Sequence, residues 1–408
     1  MTDQLALSFY ELGTVFTPSA SIDNSALFAG RKPQILKVID AVGQRGQHAV
    51  IYGERGVGKT SLANVLHDFL VKQNLRAIEV VKVNCEQSTN FSSLWHSVFR
   101  RLFIQRAITP AGFNGESTNE SMPASALLPV NVTPDDVRFV FEQVNRHTIV
   151  IIDEVDRIQD LETTTRLADT VKTLSDTAVN ATLVLVGVGD SVDDLIGEHP
   201  SIERALVQIQ MPRMSRDELF EILNKGLPQI NMTMDEDAKV EIARLSEGLP
   251  HYTHLLGLHS AQIALIHDRK NITKGDVKDA LSIALEQAQQ SIVRSYHKAT
   301  DSPRGNLYTQ VLLACALAPV DELGYFLSSA VRTPMSLIMH KPYDIPAFSR
   351  HLKDFCEQER GPVLEKEGYP RRYKFRFKNP LMEPYVIMHG LSKKLITEDE
   401  LERLQGGN

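Results

Sequence analysis

The side chains whose types and spacing point most directly to a chemistry lie in residues 48–61, HAVIYGERGVGKTS. An apolar run leads into the pattern G-x-x-x-x-G-K-[ST], and a helical pattern of apolar residues follows it. The glycines would let successive backbone N–H groups point at phosphate oxygens, and the helix would add its positive N-terminal end. The residues predicted to bind a nucleoside triphosphate are Gly53, Glu54, Arg55, Gly56, Val57, Gly58, Lys59, Thr60 and Ser61.

Two residues of this loop have predicted roles of their own. The Lys59 ammonium would reach the β- and γ-phosphates of ATP, and the Thr60 hydroxyl would coordinate Mg²⁺. A chance glycine-rich turn is the alternative interpretation. The strand pattern before the loop and the helix pattern after it favour ATP and Mg²⁺ as ligands.

A second candidate site consists of Asp153 and Glu154, which directly follow the apolar run 148–152. β-Branched residues without alternation are typical of a strand buried on both faces, and open α/β sheets bind ligands at the carboxyl ends of such strands. Asp153 would hold Mg²⁺, and Glu154 would orient and polarise the attacking water. An acidic pair at the end of a surface strand is the alternative, which the phosphate-binding loop upstream disfavours.

The surrounding patterns predict the elements that position these residues. Strands alternating with helices indicate an α/β fold with a parallel sheet in a three-layer, doubly wound domain. The segment 109–133 is rich in Gly, Ser, Asn and Pro, which predicts a flexible surface insertion. Further strands are predicted over 77–83, 182–187 and 206–211, and helices over 91–104 and 163–178.

Length and composition limit the class of protein. A chain of 408 residues can hold two or three domains, and no apolar stretch is long enough to cross a bilayer. No secretion signal is evident and the three cysteines form no disulfide or zinc pattern, so a cytoplasmic location with no membrane contact is expected. The net charge of −7 argues against general coating of nucleic acid but permits a local basic face.

The remaining chain contains a helical part and a mixed part. Helices are predicted over 217–225, 235–245, 252–267 and 274–296. Beyond a linker at 300–305, helices are predicted over 307–317 and after Asp344, then strands over 362–365 and 373–378. In the last strand Tyr373, Phe375 and Phe377 alternate with basic residues. A basic face that contacts DNA phosphates is predicted for Arg371, Arg372, Lys374, Arg376 and Lys378, the alternative being a solvated or packed surface.

These motifs together resemble the AAA+ ATPases, specifically the origin-recognition and helicase-loading initiator clade. The segment Phe28-Ala29-Gly30-Arg31 resembles that clade's F-x-G-R box, which lies beside the adenine. The resemblance implies an AAA+ nucleotide-binding core over residues 1–214, an all-α helical lid over 215–299 and a C-terminal winged helix over 300–408.

The resemblance also implies roles for residues outside the two strand-end motifs. Asp190 or Ser191 would take the position that hydrogen-bonds the attacking water, and Arg204 would be an arginine finger for a neighbouring subunit or a surface ion-pair partner of Glu203 or Asp193. His251 stands where initiators often have an arginine that touches the γ-phosphate. Metal ligation by His251, His254 and His259 is one interpretation, but ordinary helix histidines are favoured.

Two functions follow from the whole pattern. The first is an ATP-hydrolysing, Mg²⁺-dependent AAA+ protein that binds double-stranded DNA through the winged helix and self-associates through the ATP site, as a replication initiator or a related transposition or defence ATPase. The alternative is a nucleotide switch in signalling or defence that contacts a protein partner. Gly248-Leu249-Pro250 resembles the lid motif of the signal-transduction (STAND) ATPases and favours this alternative.

Overall fold

The computed structural model describes residues 2–22, 26–72, 78–108, 118–144, 146–197, 202–302, 307–369 and 372–405. The chain forms two compact units, which we name by their content. The sheet unit comprises Ser21–Gly53 and Gly58–Met211, and the helical unit comprises Met1–Ala20, Glu54–Val57 and Pro212–Asn408. The predicted division into three domains stays a prediction.

Helices and strands are numbered in chain order. The helices are α1 Thr2–Val15, α2 Lys32–Gly43, α3 Lys59–Lys72, α4 Phe91–Phe99, α5 Pro134–Gln143, α6 Leu161–Asp176, α7 Asp193–Ile196, α8 Arg216–Gly226, α9 Glu236–Ser246, α10 Pro250–Ile266, α11 Lys274–Glu286, α12 Gln290–Thr300, α13 Tyr308–Ala316, α14 Arg332–Ile338, α15 Ile345–Asp354, α16 Met382–Ser392 and α17 Glu398–Gln405. The strands are β1 His48–Tyr52, β2 Ile78–Asn84, β3 Phe103–Ile108, β4 Thr118–Pro123, β5 His147–Asp153, β6 Ala181–Val186, β7 Leu206–Gln210, β8 Thr233–Met234, β9 Asn271–Ile272, β10 Phe326–Leu327, β11 Leu364–Glu367 and β12 Lys374–Phe377.

The sheet unit is built on a parallel sheet of five strands in the order β2-β5-β6-β1-β7. Every residue of β6 is buried, as are six of the seven residues of β5, as expected for apolar strands covered on both faces. The predicted parallel α/β sheet is confirmed. Because all five strands run the same way, the carboxyl ends of β1, β2, β5 and β6 meet at one edge.

The segment after α4 differs from its prediction. The predicted helix 91–104 ends at Phe99, and β3 begins at Phe103. Within the predicted insertion 109–133, residues 109–117 lie outside the described residues, but β4 pairs antiparallel with β3 and a 3₁₀ turn follows at Ala124–Leu127. The prediction of a flexible insertion was therefore wrong for residues 118–127. The polar composition of this segment gave no strand signal. The backbone of β4 nevertheless pairs with β3, and the strand leads to the buried Ala124.

The helical unit has helices in all four regions predicted for the lid, and it also contains helices that the sequence did not predict: α1, α14, α16 and α17. The first three predicted lid helices correspond to α8, α9 and α10, but the predicted helix 274–296 is interrupted between α11 and α12. A short parallel pair, β8 and β9, also lies among these helices. The unpredicted helix α1 packs on α10, where the rings of Phe16 and His254 meet edge to face at 6.1 Å.

The C-terminal part of the helical unit combines α13–α17 with an antiparallel sheet in the order β10-β12-β11. Phe375 and Phe377 are buried and alternate with Lys374 and Arg376, so the predicted period-two strand is confirmed. The other predicted strand, 362–365, lies two residues later as β11.

Two properties expected from composition can be read from the described residues. The three cysteines, Cys85, Cys315 and Cys356, are free thiols. No helix in the described part of the chain has both the length and the apolar character that a bilayer crossing requires.

Candidate nucleotide site

The predicted phosphate-binding loop connects β1 to α3. In the sheet unit, Gly53 follows β1 with a φ of 148°, and a β-carbon at this position would collide with the carbonyl oxygen of Met211. Gly58 has a φ of 97° and directly precedes Lys59, the first residue of α3. The close approach to Met211 and the positive φ explain why the chain has glycine at position 53.

Lys59 lies inside this loop. Its side chain is buried, and its ammonium donates a hydrogen bond of 2.9 Å to the carbonyl oxygen of Gly53. The next residues belong to the first turn of α3, where Ser61 Oγ accepts a hydrogen bond of 3.0 Å from the backbone N–H of Ile22. A charged group, a helix N-terminus and a glycine-rich turn therefore occur together, the combination that suits phosphate.

Thr60 and Asp153 come together although 93 residues separate them. The Thr60 hydroxyl donates a hydrogen bond of 3.4 Å to Asp153 Oδ1, and the Asp153 side chain is almost fully buried. Hydroxyl and carboxylate oxygens are ligands that Mg²⁺ prefers, and both lie at the carboxyl-end edge of the sheet. The predicted pair of metal ligands is thus adjacent and its donor atoms fit Mg²⁺.

Lys82 is a member of this cluster that the sequence did not reveal. From β2, the neighbour of β5, its Nζ reaches to 3.0 Å from Asp153 Oδ2 and also donates to Asn64 Oδ1 on α3. The available signal was a single cationic residue within the otherwise apolar half of β2, residues 80–83. Asp153 consequently contacts a hydroxyl through one oxygen and an ammonium through the other.

Glu154 directly follows the buried strand β5 and has a left-handed backbone, with a φ of 58°. Its carboxylate is partly exposed and forms an ion pair of 3.0 Å with Arg157, at the end of a 3₁₀ turn. The hydrogen bond to Glu154 raises the pKa of Arg157. Arg157 is a second residue of the site that sequence reasoning missed, and it sets the orientation of the carboxylate predicted to polarise water.

The negative charge at this edge of the sheet affects a buried thiol. Burial, and then the charges of Asp153, Glu154 and Asp156, raise the pKa of Cys85 to about 12. Cys85 directly follows β2, and its backbone N–H donates to the carbonyl oxygen of Asp153 at 2.8 Å. The thiol is therefore un-ionised at neutral pH. Lys82 and Arg157 form ion pairs with the acidic residues at this strand end.

The turn after β6 lies beside the start of the phosphate-binding loop. Gly189 forms a backbone bridge with Gly53, and the backbone N–H groups of Asp190 and Ser191 donate to Asp194 Oδ2 at 2.7 and 2.9 Å. Asp194, which the sequence did not single out, therefore fixes this turn. The geometry places Asp190 and Ser191 near Gly53, and their role towards the attacking water stays a prediction.

Arg204 lies two residues before β7 with its side chain exposed. Its carbonyl oxygen accepts a hydrogen bond of 3.1 Å from the Gln47 side chain. Within the described ranges no acidic side chain, including those of Glu203 and Asp193, forms an ion pair with the Arg204 guanidinium. Contact with a neighbouring subunit requires an exposed guanidinium, and Arg204 has one. The arginine-finger role itself stays a prediction.

In the helical unit, Arg213 binds two buried carboxylates. Its guanidinium lies 2.7 Å from Glu54 Oε2 and 2.8 Å from Glu383 Oε2, and only 7% and 4% of those two glutamate side chains is exposed. Burial alone would lower the pKa of Arg213, but the two carboxylates raise it well above its usual value. Arg213 thus joins a residue of the predicted phosphate-binding loop to helix α16, a link the sequence did not reveal.

Further contacts of the segment Glu54–Val57 involve the same part of the chain. A β-carbon at Gly56, which has a φ of 90°, would lie 3.2 Å from Leu381 Cδ2. The carbonyl oxygen of Leu381 accepts a hydrogen bond of 2.5 Å from Tyr252 on α10, and a β-carbon at Gly324 would collide with the Glu54 carboxylate. The tip of the loop therefore lies beside Leu381, which precedes α16, and beside Gly324, which precedes β10.

His251 is engaged with the N-terminal segment. Its Nδ1 lies 2.7 Å from the carbonyl oxygen of Pro18, which identifies Nδ1 as the donor. Burial lowers the pKa of His251 although that hydrogen bond raises it, so the ring is neutral near pH 7. The other two histidines also have protein partners: Thr17 for His254, and Gln262 and Gln287 for His259.

The predicted basic face of β12 is partly compensated by acids. Lys374 pairs with Asp321 at 3.2 Å, and Arg376 pairs with Glu365 on the adjacent strand β11. Arg372 and Lys378 are exposed at the two ends of β12, and Arg371 lies outside the described residues. The sequence around β12 contains no acid between 369 and 380, so these pairings arise from residues distant along the chain.

A scan against family models matches residues 42–196 to an AAA domain. A curated relative, ORC1-type DNA replication protein 1 of Halobacterium salinarum, is 35% identical over 120 residues, which is 29% of this chain and 32% of that protein. The match thus spans about a third of the relative's length.

Solved structures are similar to this chain at low sequence identity. The Walker-type ATPase PABY2304 of Pyrococcus abyssi has a TM-score of 0.50 and 15% identity, with 90% of this chain and 98% of that chain covered. The Aeropyrum pernix ORC1 protein in complex with DNA has a TM-score of 0.48 and 14% identity, with 96% and 97% covered. The family match shows that the chain carries an AAA domain over residues 42–196, and the partial match to the Halobacterium replication protein supports the predicted resemblance to AAA+ ATPases of the initiator clade.

Proposed function

We propose that this protein binds and hydrolyses ATP with Mg²⁺ and that it contacts double-stranded DNA through a C-terminal winged helix. The observation that carries the ATPase proposal is the cluster of Lys59, Thr60 and Asp153, which joins the glycine-rich loop, α3 and β5 in the sheet unit. The named relative from Halobacterium is a DNA replication protein, which supports replication initiation as the process.

Each residue of the cluster has a definite role in this proposal. Lys59 and the backbone N–H groups of the loop bind the phosphates, and Thr60 with Asp153 holds Mg²⁺. Bound there, Mg²⁺ supplies charge neutralisation for the phosphoryl group in transfer. Glu154 orients the attacking water, with Asp190 or Ser191 as its second contact, and an exposed Arg204 acts on the site of a neighbouring subunit.

The ATP part of the proposal is tested by calorimetry with the intact protein. We expect saturable binding of Mg²⁺–ATP to the wild type and no measurable binding to Lys59→Ala, because the ammonium contacts two phosphates. Lys72→Ala, an exposed lysine at the other end of α3, is the matched control and should bind as the wild type does. Absence of binding to the wild type would refute the nucleotide site.

The DNA part is supported by the arrangement of the C-terminal elements. The order along the chain is α13, β10, α14, α15, β11 and β12, and the three strands pair in one antiparallel sheet, which is the order of elements expected of a winged helix. Arg372 and Lys378 extend the last hairpin with exposed cations, the kind of group that contacts phosphates. Because Lys374 and Arg376 are paired with acids, we assign the main phosphate contacts to Arg372 and Lys378.

A salt series tests this assignment. Removing two phosphate contacts should reduce the slope of log K against log salt by about 1.8 for B-form DNA. We therefore expect Arg372→Ala/Lys378→Ala to bind duplex DNA more weakly and with a shallower salt dependence than the wild type. The double variant Arg45→Ala/Lys172→Ala, with two exposed cations of the sheet unit, controls for net charge. Identical slopes for both double variants would show that Arg372 and Lys378 do not contact DNA phosphates.

A second candidate is a nucleotide switch that contacts a protein partner. The enclosure of Glu54–Val57 by Arg213, Glu383 and Leu381 favours it, because the C-terminal elements could respond to the state of the loop. The distinguishing measurement is the nucleotide content of the purified protein. Close to one ADP per chain, together with no duplex affinity at low salt, would support the switch. Nucleotide-free protein with salt-dependent duplex binding would support the DNA-binding ATPase.

A further inference from the structure

The Asp153 carboxylate is buried and its two oxygens have different partners. Oδ1 accepts from the Thr60 hydroxyl at 3.4 Å and from the Glu154 N–H at 2.9 Å, whereas Oδ2 lies 3.0 Å from the Lys82 ammonium. Of the Lys82 side chain 17% is exposed, and of the Asp153 side chain 2%. A buried carboxylate requires a counter-charge, and in this arrangement the protein supplies it from its own chain.

The position of Lys82 is set by two elements of the sheet unit. In the parallel register of β2 and β5, Lys82 lies opposite Ile151, two residues before the pair Asn84 and Asp153. Because side chains alternate between the two faces of a strand, Lys82 lies on the same face of the sheet as Asn84 and Asp153. The ammonium also donates to Asn64 on α3, whose amide in turn donates to Ser21 at 3.0 Å.

The electrostatic consequence concerns a divalent cation at the same carboxylate. Lys82 places an ammonium 3.0 Å from Asp153 Oδ2, so the charge of the carboxylate that a metal ion would bind is already balanced by the protein. A metal ion that approaches Thr60 and Asp153 without phosphate is therefore repelled by the Lys82 ammonium. The phosphates of a bound nucleotide would add negative charge beside the site, and the metal would then be attracted.

We propose that Lys82 is a positioning residue that acts as an internal counter-ion of Asp153 and makes metal binding at this site depend on bound nucleotide. The ammonium holds Oδ2 so that Oδ1 faces Thr60, and its charge disfavours a divalent ion until phosphate oxygens are present. This inference rests on the proposed Mg²⁺–ATP function. It adds a residue from β2 to the loop and strand end that the sequence identified.

The test measures Mn²⁺ binding to the full-length, nucleotide-free protein by electron paramagnetic resonance of free Mn²⁺. We expect Lys82→Met to bind Mn²⁺ at least about tenfold more tightly than the wild type, because a positive charge next to the ligand is removed. Lys82→Arg should retain the weak affinity of the wild type, since it keeps the charge. Lys72→Met, which removes an exposed lysine of α3, controls for the change in net charge.

Two outcomes separate this inference from the proposed function. If the wild type and Lys82→Met both bind Mg²⁺–ATP but have equal affinity for Mn²⁺ without nucleotide, the role of Lys82 is refuted while the ATP site stands. If the wild type binds no Mg²⁺–ATP, the proposed function itself fails. If Lys82→Met does not fold, Lys82→Gln replaces it, because glutamine keeps a hydrogen-bond donor without the charge. Equal Mn²⁺ affinity of Lys82→Gln and the wild type would again refute the role of Lys82.

Discussion

Glu154 and Arg157 define the geometry of the proposed water-activating group. A non-glycine residue with a φ of 58° is uncommon, and such conformations cluster at functional sites. The ion pair with Arg157 is about half exposed on both sides, so it orients the carboxylate at little energetic gain. The carboxylate can therefore leave Arg157 and turn towards a water molecule without a large penalty.

Glu154→Gln should bind Mg²⁺–ATP with wild-type affinity and lose at least about a hundredfold of its hydrolysis rate, because the amide cannot accept a proton from water. Binding is measured by calorimetry and hydrolysis by phosphate release. Arg157→Ala is the companion variant, and its rate should stay within about tenfold of the wild type. Steady turnover in Glu154→Gln would assign the role to another residue.

His48, the first residue of β1, makes folding sensitive to acid. The ring is fully buried, its Nδ1 accepts a hydrogen bond of 2.9 Å from the Leu183 N–H, and burial lowers its pKa from 6.5 to about 4. The unfolded chain therefore binds a proton at a higher pH than the folded chain does. Stability contributed by the neutral ring is complete above pH 6.5 and declines as the pH falls towards 4.

His48→Asn removes this titration and keeps an acceptor for the Leu183 N–H. Between pH 7.5 and 4, the free energy of unfolding of the wild type should fall by up to about 3 kcal/mol more than that of the variant. Urea unfolding at a series of pH values measures both curves. Parallel curves over this range would show that His48 is not the titrating group.

At the scale of elements, the connection from β1 to the loop depends on Gly53. An alanine at this position would have an unfavourable φ and would push against the Met211 carbonyl, which also follows β7. The Met211 N–H in turn donates to the Tyr52 carbonyl oxygen at 2.8 Å, so the strain would act on the β1–β7 pairing. Gly53 is therefore a structural requirement of the sheet as well as part of the predicted site.

Gly53→Ala should lower the free energy of unfolding by about 2–3 kcal/mol and abolish Mg²⁺–ATP binding. Gly43→Ala is the matched control, since Gly43 ends α2 and an added β-carbon would have nothing within 4 Å. That substitution should be neutral or stabilise by up to about 1 kcal/mol. Equal stability changes in the two variants would contradict the close contact with Met211.

The sequence predicted the parallel sheet well because each strand carries its own local signal. The runs of Val, Ile and Leu in β5 and β6 are buried on both faces and need no partner to be recognised. The hairpin of β3 and β4 lacked such a signal, since its pairing is formed through the backbone of a polar segment. The break between α11 and α12 was also missed, because both sides of it continue a helical pattern.

The site residues also divide into those that a local sequence pattern identifies and those that it does not. Lys59, Thr60, Asp153 and Glu154 belong to patterns that are contiguous in sequence, and the structure brings Lys59, Thr60 and Asp153 together. Lys82 and Arg213 act through partners that only the fold brings close, such as Glu383, which is 170 residues from Arg213. Arg157 was missed although its partner Glu154 lies only three residues away. The partners of Lys82 and Arg213 are far away along the chain, so spacing could not identify them.

At the scale of the whole molecule, Arg213 connects three parts of the helical unit. It lies between β7 and α8, and it binds Glu54 of the loop, the carbonyl oxygen of Glu247 after α9, and Glu383 in the first turn of α16. Replacing one partner of a buried pair leaves the other charges poorly compensated. A change at Glu383 should therefore be felt at the loop, although Glu383 itself belongs to the C-terminal part of the chain.

Glu383→Gln should release a fluorescent ADP analogue several-fold faster than the wild type and should unfold more easily by about 2–3 kcal/mol, because Arg213 loses one of its two carboxylates. Stopped-flow displacement by excess unlabelled ADP gives the release rate. Glu322→Gln, an exposed glutamate in the loop that contains Gly324, is the matched control and should release the analogue at the wild-type rate. If Glu383→Gln is destabilised but releases ADP at the wild-type rate, Arg213 stabilises the fold without coupling the C-terminal helix to the nucleotide.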